Sequence, residues 1–308
     1  MLTIFMDKRE IALRRALDIT DAAQTGVGGA DVVHFLPMRS SDCMLIESNG
    51  HFALIDSGEG DENPRKPGIH PGNEKVVLEY IKRYCADENG KVTLDFILGT
   101  HAHYDHIGNF EAIVRDADIT VLKAYFKPFP EKTKSYETAI WKTDETYAAI
   151  MDALADEGAQ VVHDLPDQSF AFGDFLVTFF NTVTPTELVG KGLNHDTVGV
   201  RLDIFGYTMF LAGDFTPELE DLYGDEIGQV DLLKIAHHGY YGPSRLSFLR
   251  KLSPKVAVLT NYAGKMYPNV NWNFTVVMGT PVLSAQSMNG VAVAVSPEGV
   301  SYYRNTAA

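Results

Sequence analysis

Hydrophobic and polar positions sort this chain into short apolar runs, divided by turns rich in glycine, asparagine and charge, with helical patterns between them. From Asp31 the runs come quickly. Val32-Val33-His34-Phe35-Leu36 and Cys43-Met44-Leu45-Ile46-Glu47 have strand length, Ser48-Asn49-Gly50 is a hairpin signal, and His51 to Asp56 forms a third run. Three strands joined by short turns predict an antiparallel opening. Asn73 to Tyr84 has helical spacing with Asn73 as N-cap, and Leu94-Asp95-Phe96-Ile97-Leu98 reads as a buried strand. A helix over 107–115 and a strand at Ile119-Thr120-Val121-Leu122 follow.

A second set of strands then begins. It comprises Val161-Val162, Ser169 to Phe172, Phe175 to Phe180, Val198 to Ile204, Tyr207 to Ala212, Asp231 to Ala236 and Lys255 to Asn261. Gly290 to Val295 and Val300 to Tyr303 close the chain as a hairpin around Pro297-Glu298-Gly299. Two successive mixed sets, each opening antiparallel, predict an α/β (α+β) fold in four αββα layers, with two sheets face to face and helices outside. The chain reads as one domain over 1–308. Residues 1–30 are expected to form an N-terminal arm, helical over 1–25, and 123–158 a helical insertion. The insertion opens with Tyr125-Phe126-Lys127-Pro128-Phe129-Pro130; its aromatics and Lys127, Lys132 and Lys134 are candidates for substrate contact, with an extra packing helix as the alternative reading. Residues 57–72, with His70, read as a loop, and 262–281 as irregular.

Composition narrows the function classes. The 308 residues carry a formal charge of −15, which argues against broad, non-specific nucleic-acid binding but leaves a local basic pocket open. Nucleic acid is therefore a possible but unfavoured partner, beside a small-molecule or phosphodiester substrate, and the oligomeric state stays open. Cys43 and Cys85 are the only cysteines, too few for a disulfide framework. No stretch approaches the roughly 20 apolar residues that span a bilayer. The expectation is a cytoplasmic protein with no membrane partner.

The chemistry is concentrated at Thr100-His101-Ala102-His103-Tyr104-Asp105-His106-Ile107-Gly108. His101 and His103, two apart, point the same way from an extended segment. Asp105 and His106 lie where the chain turns into a helix and can face a second point. Imidazole and carboxylate suit Zn, Mn or Fe(II), so the spacing points to two divalent ions, Zn foremost. Further along, Asn194-His195-Asp196-Thr197 and Gly213-Asp214 flank a strand hairpin, and His237-His238-Gly239 ends a buried strand.

The His-x-His-x-Asp-His stretch resembles the signature of the metallo-β-lactamase superfamily. Over about residues 31–303 the order of motifs is similar to the metallo-β-lactamase domain of ComEC-like competence proteins, without their channel. These motifs are Val33-His34-Phe35-Leu36, Asp42, Leu54-Ile55-Asp56-Ser57-Gly58, the His cluster, Gly213-Asp214 and Lys234-Ile235-Ala236-His237-His238-Gly239. The resemblance implies a metal-dependent hydrolase that activates water on a dinuclear site, with a phosphodiester as the foremost substrate. It implies His101, His103 and His195 on one metal, Asp105, His106 and His238 on the other, and Asp214 as bridge. Asp105 would also act catalytically, orienting the nucleophile or taking its proton. Asp56 and His237 would support the ligands or touch substrate. Two departures stand out. Asn194-His195-Asp196-Thr197 also matches the ComEC-like Asn-Asn-x-Ser, so Asn194 rather than His195 can face the metal. Tyr267-Pro268 also lacks the histidine expected between them. An acyl (lactone or thioester) hydrolase and a non-catalytic metal-binding module are the alternatives.

Overall fold

A computed structural model describes residues 17–61, 72–183 and 191–308. The first part of the N-terminal arm and most of the loop with His70 lie outside the described residues. Among the described residues the strands form two large sheets and one small one. The first large sheet runs, edge to edge, Thr20–Asp21, Gly299–Arg304, Val291–Ser296, Asp31–Phe35, Met44–Ser48, His51–Ile55, Phe96–Gly99, Lys123–Phe126 and Gln160–Val162. The second runs Phe170–Phe172, Phe175–Phe180, Gly199–Ile204, Tyr207–Leu211, Leu232–Lys234, Val256–Leu259 and Val282–Ser284.

Burial shows how they stack. Val33, Phe35, Met44, Ile46, Leu98, Val177, Val200, Leu211 and Val258 make one apolar layer between the two sheets. The opposite face of the first sheet, with Leu45, Leu54 and Ile97, packs on helices bearing Val77, Ile81, Phe110 and Leu154. The opposite face of the second, with Phe210, Leu233 and Ala257, packs on helices bearing Leu219, Phe248 and Leu249. That is the expected αββα sandwich. It follows from strands whose two faces are both apolar, so each sheet must be covered twice.

Apart from the two-residue edge strand Thr20–Asp21, which pairs in parallel, each large sheet is antiparallel in one half and parallel in the other. In the first, His51–Ile55, Phe96–Gly99 and Lys123–Phe126 are parallel; in the second, Tyr207–Leu211, Leu232–Lys234 and Val256–Leu259 are. Loops leaving the carboxyl ends of parallel strands are the usual ligand-binding positions of such sheets. Every metal-ligand candidate of the sequence except those of the 193–196 turn leaves such an end.

Three local expectations are corrected. Within the described part of the arm, Thr20–Asp21 is a strand paired with the last strand, followed by a short helix Ala22–Thr25, so the arm is not helical throughout to residue 25. Ile119–Val121 pairs with Val92–Leu94 in the small sheet, and Lys123–Phe126 is the main-sheet strand, so the insertion proper starts after it. Residues 262–281 hold a helix at Pro268–Trp272, continued by a wide helical turn over Asn273–Met278. Tyr125 and Phe126 are consequently buried core.

Lys127 is buried as well, and its ammonium is fully engaged. It donates to the carbonyls of Asn181 at 2.9 Å and Asp196 at 2.8 Å, and pairs with Asp196 Oδ1 at 2.6 Å. It therefore ties the insertion to the 193–196 turn rather than facing substrate. Replacing Lys127 by Met leaves the buried Asp196 carboxylate and two carbonyls without partners. The expected loss is about 3–5 kcal/mol of unfolding free energy in a denaturant titration. A loss under about 1 kcal/mol, the range of exposed pairs, would contradict this role.

Candidate metal centre

The centre is built from strand ends of both sheets. After His51–Ile55 the chain turns at Asp56 with φ +56°. This aims its buried carboxylate at the neighbouring strand end, where Oδ1 accepts the Thr100 N–H and Oδ2 the Thr100 hydroxyl, each at 2.8 Å. Oδ2 also accepts His106 Nδ1–H at 2.7 Å. His106 lies on the short helix Tyr104–Ile107, whose first residue follows His103.

The second sheet supplies the facing half. Asp214 follows Gly213, and His238 follows the strand Leu232–Lys234. His238 Nδ1 lies 3.2 Å from Asp42 Oδ1 and 3.3 Å from the Thr260 hydroxyl. Asp42 is fully buried and paired with Lys234, which is fully buried too and donates to the Gly213 carbonyl at 2.9 Å. Burial alone would raise the Asp42 carboxyl. The Lys234 ammonium and the His238 imidazole outweigh it and hold the group below the usual carboxylate range.

These outer contacts decide what faces inward. A carboxylate at Nδ1 keeps the ring proton there, so His106 and His238 turn lone-pair Nε2 atoms inward. His106 Nε2 lies 3.3 Å and His238 Nε2 3.4 Å from Asp214 Oδ1, itself an acceptor. All three atoms are buried and none completes a hydrogen bond. Asp105 Oδ2 approaches the same His238 Nε2 at 3.6 Å, and His101 Nε2 lies 3.9 Å from Asp214 Oδ2. Converging buried acceptors repel unless a cation joins them. Ligands about 2.0–2.2 Å from a shared ion stand roughly this far apart. Without a metal only a proton can serve. Burial would lower His106, but Asp214 and Asp56 drive it well above the ordinary histidine range. The donor set therefore fits divalent ions.

Backbone strain sits at the same place. His237 and His238 both have φ +50°, left-handed values that cost a non-glycine residue roughly 1–2 kcal/mol each. The turn is held by His237 N–H to Gly213 O at 3.0 Å, Asn261 Nδ2–H to His238 O at 3.2 Å and Tyr267 N–H to Gly239 O at 2.8 Å. Gly239 continues it at φ +75°, where a Cβ would meet Leu259 at 2.8 Å. Because the segment is not extended, the two imidazoles do not point apart. They reach different oxygens of one carboxylate, His237 Nε2 lying 3.6 Å from Asp214 Oδ2.

The metallo-β-lactamase superfamily model matches residues 36–260, most of the chain. The chain belongs to the metallo-β-lactamase superfamily. Curated relatives are distant. It is 22% identical over 250 residues to ComE operon protein 3 of Bacillus subtilis, covering 71% of this chain and 29% of that one. It is 22% identical over 232 residues to Recombination protein 2 of Haemophilus influenzae, covering 75% and 23%. The chain thus spans less than a third of either relative. Solved structures with the same fold include the metallo-beta-lactamase fold protein YhfI of Bacillus subtilis, at TM-score 0.51 and 14% identity, covering 83% of this chain and 97% of that one. Zn(2+)-bound PqqB of Methylobacterium extorquens matches at TM-score 0.52 and 12% identity, covering 84% and 89%. The superfamily resemblance read from the His cluster, and the ComEC-like resemblance read from the order of motifs, are thereby borne out. Among the described residues no helix is long and apolar enough to cross a membrane.

Most of the motif residues of this metallo-β-lactamase chain come together. His101, His106 and Asp214 have donor atoms within 4.8 Å of one another, as do Asp105, His106 and His238. His103 joins through Nδ1, 3.1 Å from His101 Nε2. His195 does not join them. Leu193–Asp196 is a tight 3₁₀ turn, so successive side chains fan out. His195 Nε2 turns to Glu218 at 3.4 Å, Asp196 turns to Lys127, and Asn194 Nδ2 faces His237 Nε2 at 3.4 Å. Asn194 is thus the residue of this turn that looks into the centre. Asp42 and Lys234 belong to the centre although sequence reasoning gave them no role there. The available signal was a lysine inside the apolar run Leu232 to Ala236, which demands a buried counter-charge.

A site of this kind should couple metal to folding. A divalent ion at about 100 times its Kd is expected to add about 2.7 kcal/mol to the unfolding free energy, and Asp214→Ala to lose most of that gain. Identical thermal melts with and without ion would contradict the fit.

Proposed function

We propose that this chain is a dinuclear metallohydrolase acting on a phosphodiester. The observation that carries the reading is the convergence of imidazole lone pairs on the two oxygens of one buried carboxylate, Asp214. In this reading His101 Nε2 and His103 Nδ1 hold one ion, with the Asn194 amide and His237 beside it. Asp105, His106 and His238 hold the other, and Asp214 is shared. Zn is the foremost candidate, with Mn and Fe also compatible with an all-nitrogen and oxygen donor set. Two divalent ions bound there would lower the pKa of a shared water toward neutrality and offset the negative charge that develops on the phosphoryl oxygens.

The remaining work falls to the chain. Asp105 is the least buried of the central carboxylates, its side chain 17% exposed, against 2% for Asp214 and 0% for Asp42. It stands where it can orient an incoming water and take its proton. Asp56 and Asp42 keep His106 and His238 in the tautomer that faces inward, as supporting carboxylates do in metal sites generally. His237 and the half-exposed Tyr240, whose rings are 5.6 Å apart, lie on the side open to substrate. Preference for a phosphodiester over an acyl substrate rests on the ComEC-like order of motifs.

The test uses protein reconstituted with Zn or Mn and bis-p-nitrophenyl phosphate. Turnover is expected, and Asp105→Asn should lower kcat about 100-fold or more. His195→Ala is expected to keep two ions per chain by elemental analysis and to keep the wild-type rate. Loss of an ion in that variant would return His195 to the ligand set. Cleavage of lactones but not of the diester would move the reaction to acyl transfer. A wild-type chain that takes up no metal would overturn the reading.

A further inference from the structure

The helical insertion reaches the metal loops through one side chain. Glu137 lies on the short helix Ser135–Ala139 and is 1% exposed. Its Oε1 accepts His103 Nε2–H at 3.2 Å and the Leu193 N–H at 3.1 Å. Its Oε2 accepts the Lys134 N–H at 3.2 Å and the Thr133 hydroxyl. The Leu193 and Lys134 N–H groups can only donate and the Thr133 hydroxyl can donate, so the site suits an ionised carboxylate; a carboxylate only accepts, which assigns the facing proton to His103 Nε2. A glutamine would turn its amide protons against at least one of these donors. The fit is close on the 193 side, where a Cβ on Gly192 would come within 2.7 Å of Glu137 Oε1.

Two consequences follow for the centre. A proton committed at His103 Nε2 leaves Nδ1 as the lone-pair atom, and Nδ1 is the atom 3.1 Å from His101 Nε2. The Leu193 N–H belongs to the turn that presents Asn194, so one carboxylate sets both a histidine and the turn beside it. The Trp141 ring, 5.5 Å from that of His103 and edge-on to it, closes the same side.

We infer that Glu137 is a positioning residue which fixes His103 as the Nε2–H tautomer and anchors the Leu193–Asp196 turn, making the insertion part of the metal centre. The tautomer part stands on geometry alone; the effect on metal rests on the dinuclear reading above. Glu137 also closes the start of its own helix through Lys134, and the controls separate that structural role. Thr133→Val removes a Glu137 contact without touching His103.

The experiment combines two readouts on wild type, Glu137→Ala, Glu137→Gln and Thr133→Val. The first is the ring-nitrogen spectrum of metal-free protein labelled with nitrogen-15 histidine, with His103 assigned by its loss in His103→Ala. The second is Zn affinity by competition with a chelator. His103 is expected in the Nε2–H form in wild type and Thr133→Val, and as a tautomer mixture in both Glu137 variants. Zn affinity at one of the two ions should fall about 10–100-fold in the Glu137 variants alone. An unchanged His103 tautomer with wild-type affinity for both ions in Glu137→Gln and Glu137→Ala overturns the inference and leaves the dinuclear reading standing. A wild type that binds no Zn, with the tautomer still lost in the Glu137 variants, overturns the dinuclear reading and upholds the positioning role.

Discussion

Everything in the centre depends on where the imidazole protons go. His106 is held from outside by Asp56 at 2.7 Å and His238 by Asp42 at 3.2 Å, so both rings turn lone pairs toward Asp214. The arrangement places buried acceptors against one another, which is unfavourable until a cation, either a metal ion or a proton on His106, joins them. A folded chain that keeps such a constellation stores electrostatic strain at one point. The left-handed backbone of His237 and His238 lies there too.

That constraint spans the sandwich. Asp56, His101, Asp105 and His106 leave the first sheet, and Asp214, His237 and His238 leave the second. Asp42, at the start of a first-sheet strand, pairs with Lys234 at the end of a second-sheet strand, both fully buried. An ion pair at that depth contributes little net stability compared with apolar packing, but breaking it is costly. Its effect is positional, since it orients His238 and, through Lys234, holds the Gly213 carbonyl beside Asp214. The apolar layer between the sheets supplies the rigidity that lets two separately folded strand ends meet to within a hydrogen-bond length.

What was legible in the sequence was local. The His cluster carries its meaning in six consecutive residues, and the order of apolar runs is enough to stack two sheets, because strands apolar on both faces need covering twice. Phe175–Phe180 emerges with the bounds the pattern suggests. Failures came where the outcome is set by distant partners. Lys123–Phe126 is a strand because Phe96–Gly99 offers it a ladder, not because its own pattern differs from the insertion around it. His195 turns away because a single 3₁₀ turn fans its neighbours among Lys127, Glu218 and His237. Glu137 lies 34 residues beyond His103 in a helix whose pattern looks ordinary, and only the fold brings the two together. The His237-His238 pair misled for a related reason, since alternation of side chains holds only while the backbone is extended.

Crystals of protein reconstituted with Zn, measured on either side of the Zn absorption edge, test the central claim most directly. Two anomalous peaks about 3.5–4 Å apart are expected, one toward His101 and His103 and one toward Asp105, His106 and His238, with the Asp214 carboxylate between them. A single peak away from Asp214, or a peak held by His195 and Glu218, would contradict it.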